Sequence, residues 1–135
     1  MTLCDASPLI ALINKSDSQH QRCVNALRFL QGQLATTWAC LTEAMYLLGA
    51  YGGFTAQQQL WEYIIDCIVF IHDITRAEQE RMYALMIRYQ DTPMDLADAS
   101  LVACAETLNQ QRIFTLDSDF YIYRFRDTEA FDVVP

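Results

Sequence analysis

The residues of this sequence best suited to chemistry are acidic: Asp5, Glu43, Asp95, Asp98, Asp117 and Asp119. Asp5 ends a short apolar run, Leu3-Cys4, and is followed by a hydroxyl, Ser7, and then by Pro8 and the apolar segment Leu9–Ile13. This reads as a buried strand, a tight turn and a helix, with the proline near the first helical turn, where its missing N–H costs little. Helix capping alone would also account for Asp5 and Ser7. Glu43 has Cys40 and Leu47 as its i−3 and i+4 neighbours, and a carboxylate on an apolar helix face is costly unless paired, protonated or metal-bound. A place at the boundary of that face, reaching water, is the plainer alternative. Asp95 and Asp98 are three apart on one helix and share a face. The helix dipole explains an acid at the first position better than at the deeper Asp98. Asp117 and Asp119 follow the apolar run Ile113-Phe114 and the hydroxyl of Thr115, repeating the pattern around Asp5. A turn would favour Asp-Ser-Asp on propensity alone.

What distinguishes the set is where a parallel sheet would put it. Ligands of open α/β sheets bind beyond the carboxyl ends of the strands, and Asp5 and the Asp117/Asp119 pair sit at two such ends. Glu43 and Asp98 would arrive from helices alongside. Carboxylates so gathered repel one another unless a cation lies among them. Hard oxygen ligands without cysteine or histidine suit Mg²⁺ or Mn²⁺, and carboxylate-bound ions are a recurring means of cleaving phosphodiesters.

The elements needed to position these residues are legible. A second helix, capped by Ser16 or Asp17, carries Cys23, Val24, Ala26, Leu27, Phe29 and Leu30 and should stop at Gly32. Leu34–Trp38 reads as a strand. A helix from Cys40 to Ala50 should end at Gly52-Gly53, with another beginning at Thr55. Cys67–Ile71 is a continuous apolar run of the kind buried parallel strands show. Thr75 and Glu78 make a capping box for a helix through Tyr89. Asp95–Leu108 predicts an almost wholly apolar helix and Arg112–Leu116 a strand. A last strand falls in Tyr121–Phe125 or in Phe131–Val134. The alternation predicts an α/β fold: one domain over residues 1–135, a central parallel sheet flanked by helices on both faces.

Composition agrees. The chain has 135 residues, 53% hydrophobic and 19% charged, as expected of a compact domain. No apolar run reaches a membrane span, and no signal-peptide pattern opens the sequence, so a cytoplasmic location is expected. The cysteines, Cys4, Cys23, Cys40, Cys67 and Cys104, are odd in number and scattered, as reduced buried thiols would be. His20 and His72 lack zinc-ligand spacing and read as surface or structural residues. The formal net charge of −8 argues against nucleic acid, whose binders usually carry basic patches, unless acids are gathered in a metal site that cations offset.

The stretches LCDASPLIALI, TEAMYLL, DLADASLVACAE and IFTLDSDF, in that order, resemble the PIN-domain nucleases, and among them the small VapC-like toxins of bacterial toxin–antitoxin pairs. The likeness runs from Leu3 to about Arg124. It implies a PIN-like fold, and an Mg²⁺- or Mn²⁺-dependent endoribonuclease acting on RNA. It also implies homodimerisation and inhibition by a cognate antitoxin. The family's metal-holding acids fall on Asp5, Glu43 and Asp98, and on Asp117 or Asp119. Ser7, Asp95 and Thr115 become auxiliary residues, with Ser7 and Thr115 orienting carboxylates through hydrogen bonds. Of the 17 acids, setting the six named above aside leaves 11 against nine basic residues. RNA would then be held by local arginines, of which Arg112, Arg124 and Arg126 flank the last acidic stretch.

Other classes stay open. A phosphatase or phospho-acceptor domain also places aspartates at strand ends, but such domains usually need a lysine beside the acids, and Lys15 lies far along the first helix. A catalytically silent PIN fold acting as a binding module would carry the same residues. Met45, Tyr46, Leu47, Leu48 and Tyr51, with Trp61, Tyr63, Ile64 and Ile65, make more apolar surface than one small sheet covers. Such faces are enriched at interfaces, so part of this one is expected to form a dimer seam or an antitoxin groove.

Overall fold

The computed structural model describes residues 1–135. In chain order its elements are β1 (Thr2–Cys4), α1 (Ala6–Ile13), α2 (His20–Leu27), β2 (Leu34–Thr37), α3 (Trp38–Ile65), β3 (Val69–His72), α4 (Arg76–Arg88), α5 (Leu96–Leu108), β4 (Arg112–Phe114), a 3₁₀ turn (Ser118–Tyr121), β5 (Arg124–Phe125), β6 (Glu129–Ala130) and β7 (Asp132–Val134). Five strands form one sheet in the order β3-β2-β1-β4-β7. Every neighbouring pair in it is parallel. All carboxyl ends therefore lie on one edge, and β1 and β4, which lead into Asp5 and Asp117, are central neighbours.

Successive strand residues point to opposite faces, and this splits the core in two. Leu3, Ala35 and Ile113 face a cluster built with Met82 and Leu85 of α4 and with Ala99, Leu101, Val102 and Cys104 of α5. Cys4, Leu34, Val69 and Phe114 face one built with Leu9 and Leu12 of α1, Cys23 of α2, and Leu41, Ala44, Leu48 and Leu60 of α3. Helices on both faces follow, as the alternation of the sequence predicts. α5 is buried along nearly its whole length because the segment from Ala97 to Ala105 has no charge except Asp98, and a helix apolar all round has to be covered.

Several boundaries differ from those expected. Not so the break expected at Gly52-Gly53, which is present: Gly53, with φ 62° and ψ −154°, is non-helical, and α3 is two helical stretches meeting at a kink there. Gln57 reaches back over the bend and donates to the Met45 carbonyl at 3.1 Å. α2 ends at Leu27, not at Gly32. Its first turn is preceded by Asp17, whose carboxylate accepts from the Gln19 N–H at 2.8 Å rather than from the helix itself. Both alternatives for the last strand are realised in part. β5 pairs only with β6 in a small antiparallel hairpin, whereas β7 joins the main sheet beside β4. Cys67 is exposed, unlike the other four cysteines. The histidines bridge elements: His20 Nδ1 lies 2.7 Å from the Ala11 carbonyl, and His72 Nε2 lies 2.7 Å from Glu78, the capping-box residue of α4.

Candidate metal centre

β1 delivers Asp5 to the carboxyl edge of the sheet, where it also opens α1. Its Oδ1 accepts from the Ala6 N–H at 2.7 Å and its Oδ2 from the Thr115 hydroxyl at 2.8 Å. Capping and convergence are thus both true of Asp5. Thr115, just past β4, uses one hydroxyl twice, because its Oγ1 also accepts from the Asp117 N–H at 3.0 Å. That single atom fixes the spacing between the two acidic strand ends. Asp117 Oδ1 accepts from the Asp119 N–H at 2.9 Å, which turns the chain into the 3₁₀ turn.

α5 brings in Asp98. Asp95 is the N-cap, and its Oδ1 accepts from the Asp98 N–H at 2.8 Å. Asp98 Oδ2 lies 3.4 Å from the Asp95 N–H in return, completing a capping box. Asp95 so serves the helix end that carries Asp98. α3 and α5 are held together by Thr37 and Ser100, whose buried hydroxyls lie 2.6 Å apart. Thr37 also caps α3, accepting from the Cys40 N–H at 3.3 Å.

The result is a cavity of about 270 Å³ lined by Asp5, Ser7, Glu43, Asp98, Leu116 and Asp117. One carboxylate oxygen from each of Asp5, Asp98 and Asp117 lies within 4.8 Å of the others. Octahedral Mg²⁺ or Mn²⁺ holds oxygens at about 2.1 Å, so opposite ligands stand about 4.2 Å apart. The triad fits such an ion with small side-chain adjustments, and its all-oxygen donor set suits a hard cation. Larger hollows exist. One of about 680 Å³, bounded in part by Met1, Gln31, Gln110 and Asp132, lies at the opposite end of the strands and gathers no such acids.

Crowding leaves its mark on the acids. Burial raises the pKa of Asp5, and the neighbouring Asp117 and Asp95 charges add to this against the Thr115 and Ala6 hydrogen bonds. Burial, then Asp95 and Asp5, push Asp98 up to about 7 despite the Tyr123 hydroxyl. Glu43 is raised by desolvation and then by Asp5, Asp95 and Asp117. Each shift comes first from loss of solvent and then from the neighbouring carboxylates, both of which disfavour the ionised form.

Other expected site residues sit differently from their sequence reading. Glu43 is exposed at the rim, and Leu47 beside it is 43% exposed, so this helix face is a boundary and not core. Ser7 Oγ accepts from the Leu116 N–H at 3.2 Å, so it ties the two strand ends together and orients backbone, not a carboxylate. Asp119 contributes its N–H to Asp117 and does not line the cavity. The arginines form no basic rim. Arg112 starts β4, at the end away from the acids, and pairs with Asp132 at 2.7 Å. Arg124 donates to the Tyr121 carbonyl at 2.9 Å. Arg126 lies over the Phe125 ring and donates to the Glu106 carbonyl. None of the three lines the acidic cavity. Sequence reasoning missed Tyr123, which donates to Asp98 Oδ2 at 3.0 Å from a fully buried position. A tyrosine four residues beyond Asp119 carries no motif, and its aromatic neighbours signal only core.

The PIN domain family model matches residues 2–126. No curated protein matches the chain. Solved structures that share the fold include the following three. The crystal structure of VapC20 from Mycobacterium tuberculosis, described as a sarcin-ricin loop cleaving toxin, aligns with TM-score 0.85 and 20% identity over 100% of both chains. A toxin–antitoxin complex from Klebsiella pneumoniae aligns at 0.70 and 24%, over 89% of this chain and 90% of that one. VapBC2 from Rickettsia felis, bound to a DNA fragment from its promoter, aligns at 0.71 and 14%, over 99% and 98%.

Proposed function

The chain belongs to the PIN-domain family, and from that footing we propose that it is a divalent-metal-dependent endoribonuclease, the toxin of a toxin–antitoxin pair. One observation carries the reading. Asp5, Asp98 and Asp117, 93 and 19 residues apart in sequence, converge to within 4.8 Å at one sheet edge with no cationic side chain lining their cavity. Three acids brought together with no protein cation beside them fit a bound metal better than a structural role.

Within this reading Asp5, Asp98 and Asp117 hold the ion, Mg²⁺ or Mn²⁺, and Glu43 at the rim completes the set. Such an ion supplies Lewis acidity towards a phosphodiester and makes water acidic enough to attack at neutral pH. Thr115 keeps Asp5 and Asp117 in fixed relation, Ser7 locks the strand ends, and Asp95 holds the first turn of α5 under Asp98. With water as nucleophile, cleavage leaves a 5′-phosphate and a 3′-hydroxyl.

The partners are a second copy of the chain and an antitoxin. Support comes from the aromatic side chains left outside: Tyr46 is 76% exposed, Phe54 69%, Tyr51 50% and Trp61 40%. An apolar groove bordered by Ala39, Thr42, Tyr46, Leu96 and Ala97 opens beside the acidic cavity and shares Glu43 with it. An inhibitor lying there could present arginine to Asp98 or Asp117, since guanidinium pairs carboxylates bidentately. No helix is long and apolar enough to cross a membrane, in keeping with a cytoplasmic site of action.

A thermal scan tests the metal. Mg²⁺ or Mn²⁺ at a hundredfold excess over its dissociation constant should stabilise the fold by about 2.7 kcal/mol, and EDTA should reverse the rise in melting temperature. No response at millimolar metal would remove the basis of the reading.

A further inference from the structure

We propose that Tyr123 is a positioning residue that fixes which oxygen of Asp98 faces the metal cavity, a role that rests on the metal-dependent reading above. Tyr123 is 0% exposed and carries its hydroxyl into the core to a single acceptor, Asp98 Oδ2, at 3.0 Å. The Asp95 N–H reaches the same oxygen at 3.4 Å. Both donors therefore occupy Oδ2, and Asp98 Oδ1 receives no hydrogen bond from the protein. A carboxylate gripped by one oxygen presents the other.

The grip is rigid. The Tyr123 ring meets Tyr89 and Phe120 edge-to-face, each with centroids 5.1 Å apart. Phe120 is braced in turn by Phe131. A donor locked in this way loses little side-chain freedom when it engages Asp98. Its partner is the carboxylate most in need of one. Asp98 stands among Asp5, Asp95 and Asp117, and without a fixed donor the repulsion of these acids would swing its carboxylate aside. The arrangement parallels Thr115 on Asp5, so two of the three clustered carboxylates are oriented by a buried hydroxyl. Groups that orient metal ligands in this way typically change metal affinity 10- to 100-fold when removed.

The test is isothermal titration of Mn²⁺ into the full chain, for wild type, Tyr123→Phe and Tyr89→Phe. Phenylalanine keeps the ring contacts and removes only the donor. The expected result is a dissociation constant about 10- to 100-fold weaker for Tyr123→Phe, with cleavage lost at low Mn²⁺ and restored when Mn²⁺ is raised to saturation. Tyr89→Phe removes a hydroxyl from the same cluster that does not touch an acid, and should bind Mn²⁺ as wild type does. Unchanged affinity in Tyr123→Phe would overturn the proposal, whatever its melting temperature. An equal loss in Tyr89→Phe would overturn it too, by showing that removing any hydroxyl from this cluster has the effect, whether or not it touches Asp98. A wild type that binds no Mn²⁺ would overturn the metal reading itself, whereas a binding wild type beside an indifferent Tyr123→Phe removes this role alone. Circular dichroism of each variant reports whether it is folded, and a Tyr123→Phe chain that unfolds without metal yet folds and binds Mn²⁺ as tightly as wild type also counts against the role.

Discussion

At the scale of single residues, the site is built from carboxylates that disfavour their own charge. Unfolded, Asp98 ionises near its ordinary value of 3.8; folded and without metal, burial and its acidic neighbours raise this to about 7. Between those values the folded state binds more protons than the unfolded state, so the stability this group contributes is present at the acid end and is lost as pH rises towards 7. Asp5 and Glu43 shift in the same direction. The metal-free protein should therefore melt at a higher temperature near pH 5 than near pH 7.5. With saturating Mn²⁺ the trend should reverse, because the ion competes with protons for the same oxygens. Paired thermal scans in EDTA and in Mn²⁺ across this range check both signs, and an EDTA curve that rises with pH would contradict the crowding. These residues were legible in the sequence as types and positions. Their individual roles were not, because chain position does not say whether a hydroxyl donates or accepts. Thr115 donates to Asp5, whereas Ser7 accepts from backbone.

At the scale of elements, hydrophobic periodicity and capping residues located the strands and helices that matter. The Thr75/Glu78 capping box begins α4 as expected. Asp95 and Asp98 proved to be a second box, which the sequence shows as D-x-x-D in place of S/T-x-x-E. The break expected at Gly52-Gly53 is realised. Two glycines announce a break in helical geometry, and Gly53 makes one, at φ 62° and ψ −154°, where the two stretches of α3 meet. Gly53 has open space where a side chain would go, so the penalty for Gly53→Ala is backbone strain alone, about 1–3 kcal/mol for an L residue forced to positive φ. A urea melt should show this loss. Gly53→Ala as stable as wild type would mean that the bend adjusts freely. Arg112 is near Asp117 in sequence, but β4 separates them, and a strand carries its two ends to opposite edges of a sheet.

At the scale of the whole molecule, parallel topology does what no motif could. It brings Asp5 and Asp117, 112 residues apart in sequence, to adjacent strand ends. The same fold leaves an apolar, aromatic surface along α3, with Tyr46, Tyr51, Phe54 and Trp61 all at least 40% exposed. The sequence indicated an excess of apolar residues, but which of them are core depends on how α3 meets the sheet. Leu48 and Leu60 are buried, and the aromatics between and beyond them are not. Sedimentation of the isolated chain at micromolar concentration should show a dimer, and Tyr51→Glu with Phe54→Glu should shift it towards monomer. A wild-type monomer at that concentration would leave the surface to the antitoxin alone.

The most direct measurement is cleavage of total cellular RNA by the purified chain in Mn²⁺, with the new ends mapped by ligation that requires a 5′-phosphate, beside Asp5→Asn treated identically. Asp5→Asn keeps the size of the side chain and removes one ligand charge, so the site that would hold the ion loses a hard anionic oxygen donor. The account predicts discrete 5′-phosphate ends with the wild type, none above background with Asp5→Asn, and circular dichroism spectra that superimpose. Cleavage by Asp5→Asn at the wild-type rate and positions, or none by a wild type shown to bind Mn²⁺ across all cellular RNAs, would contradict it.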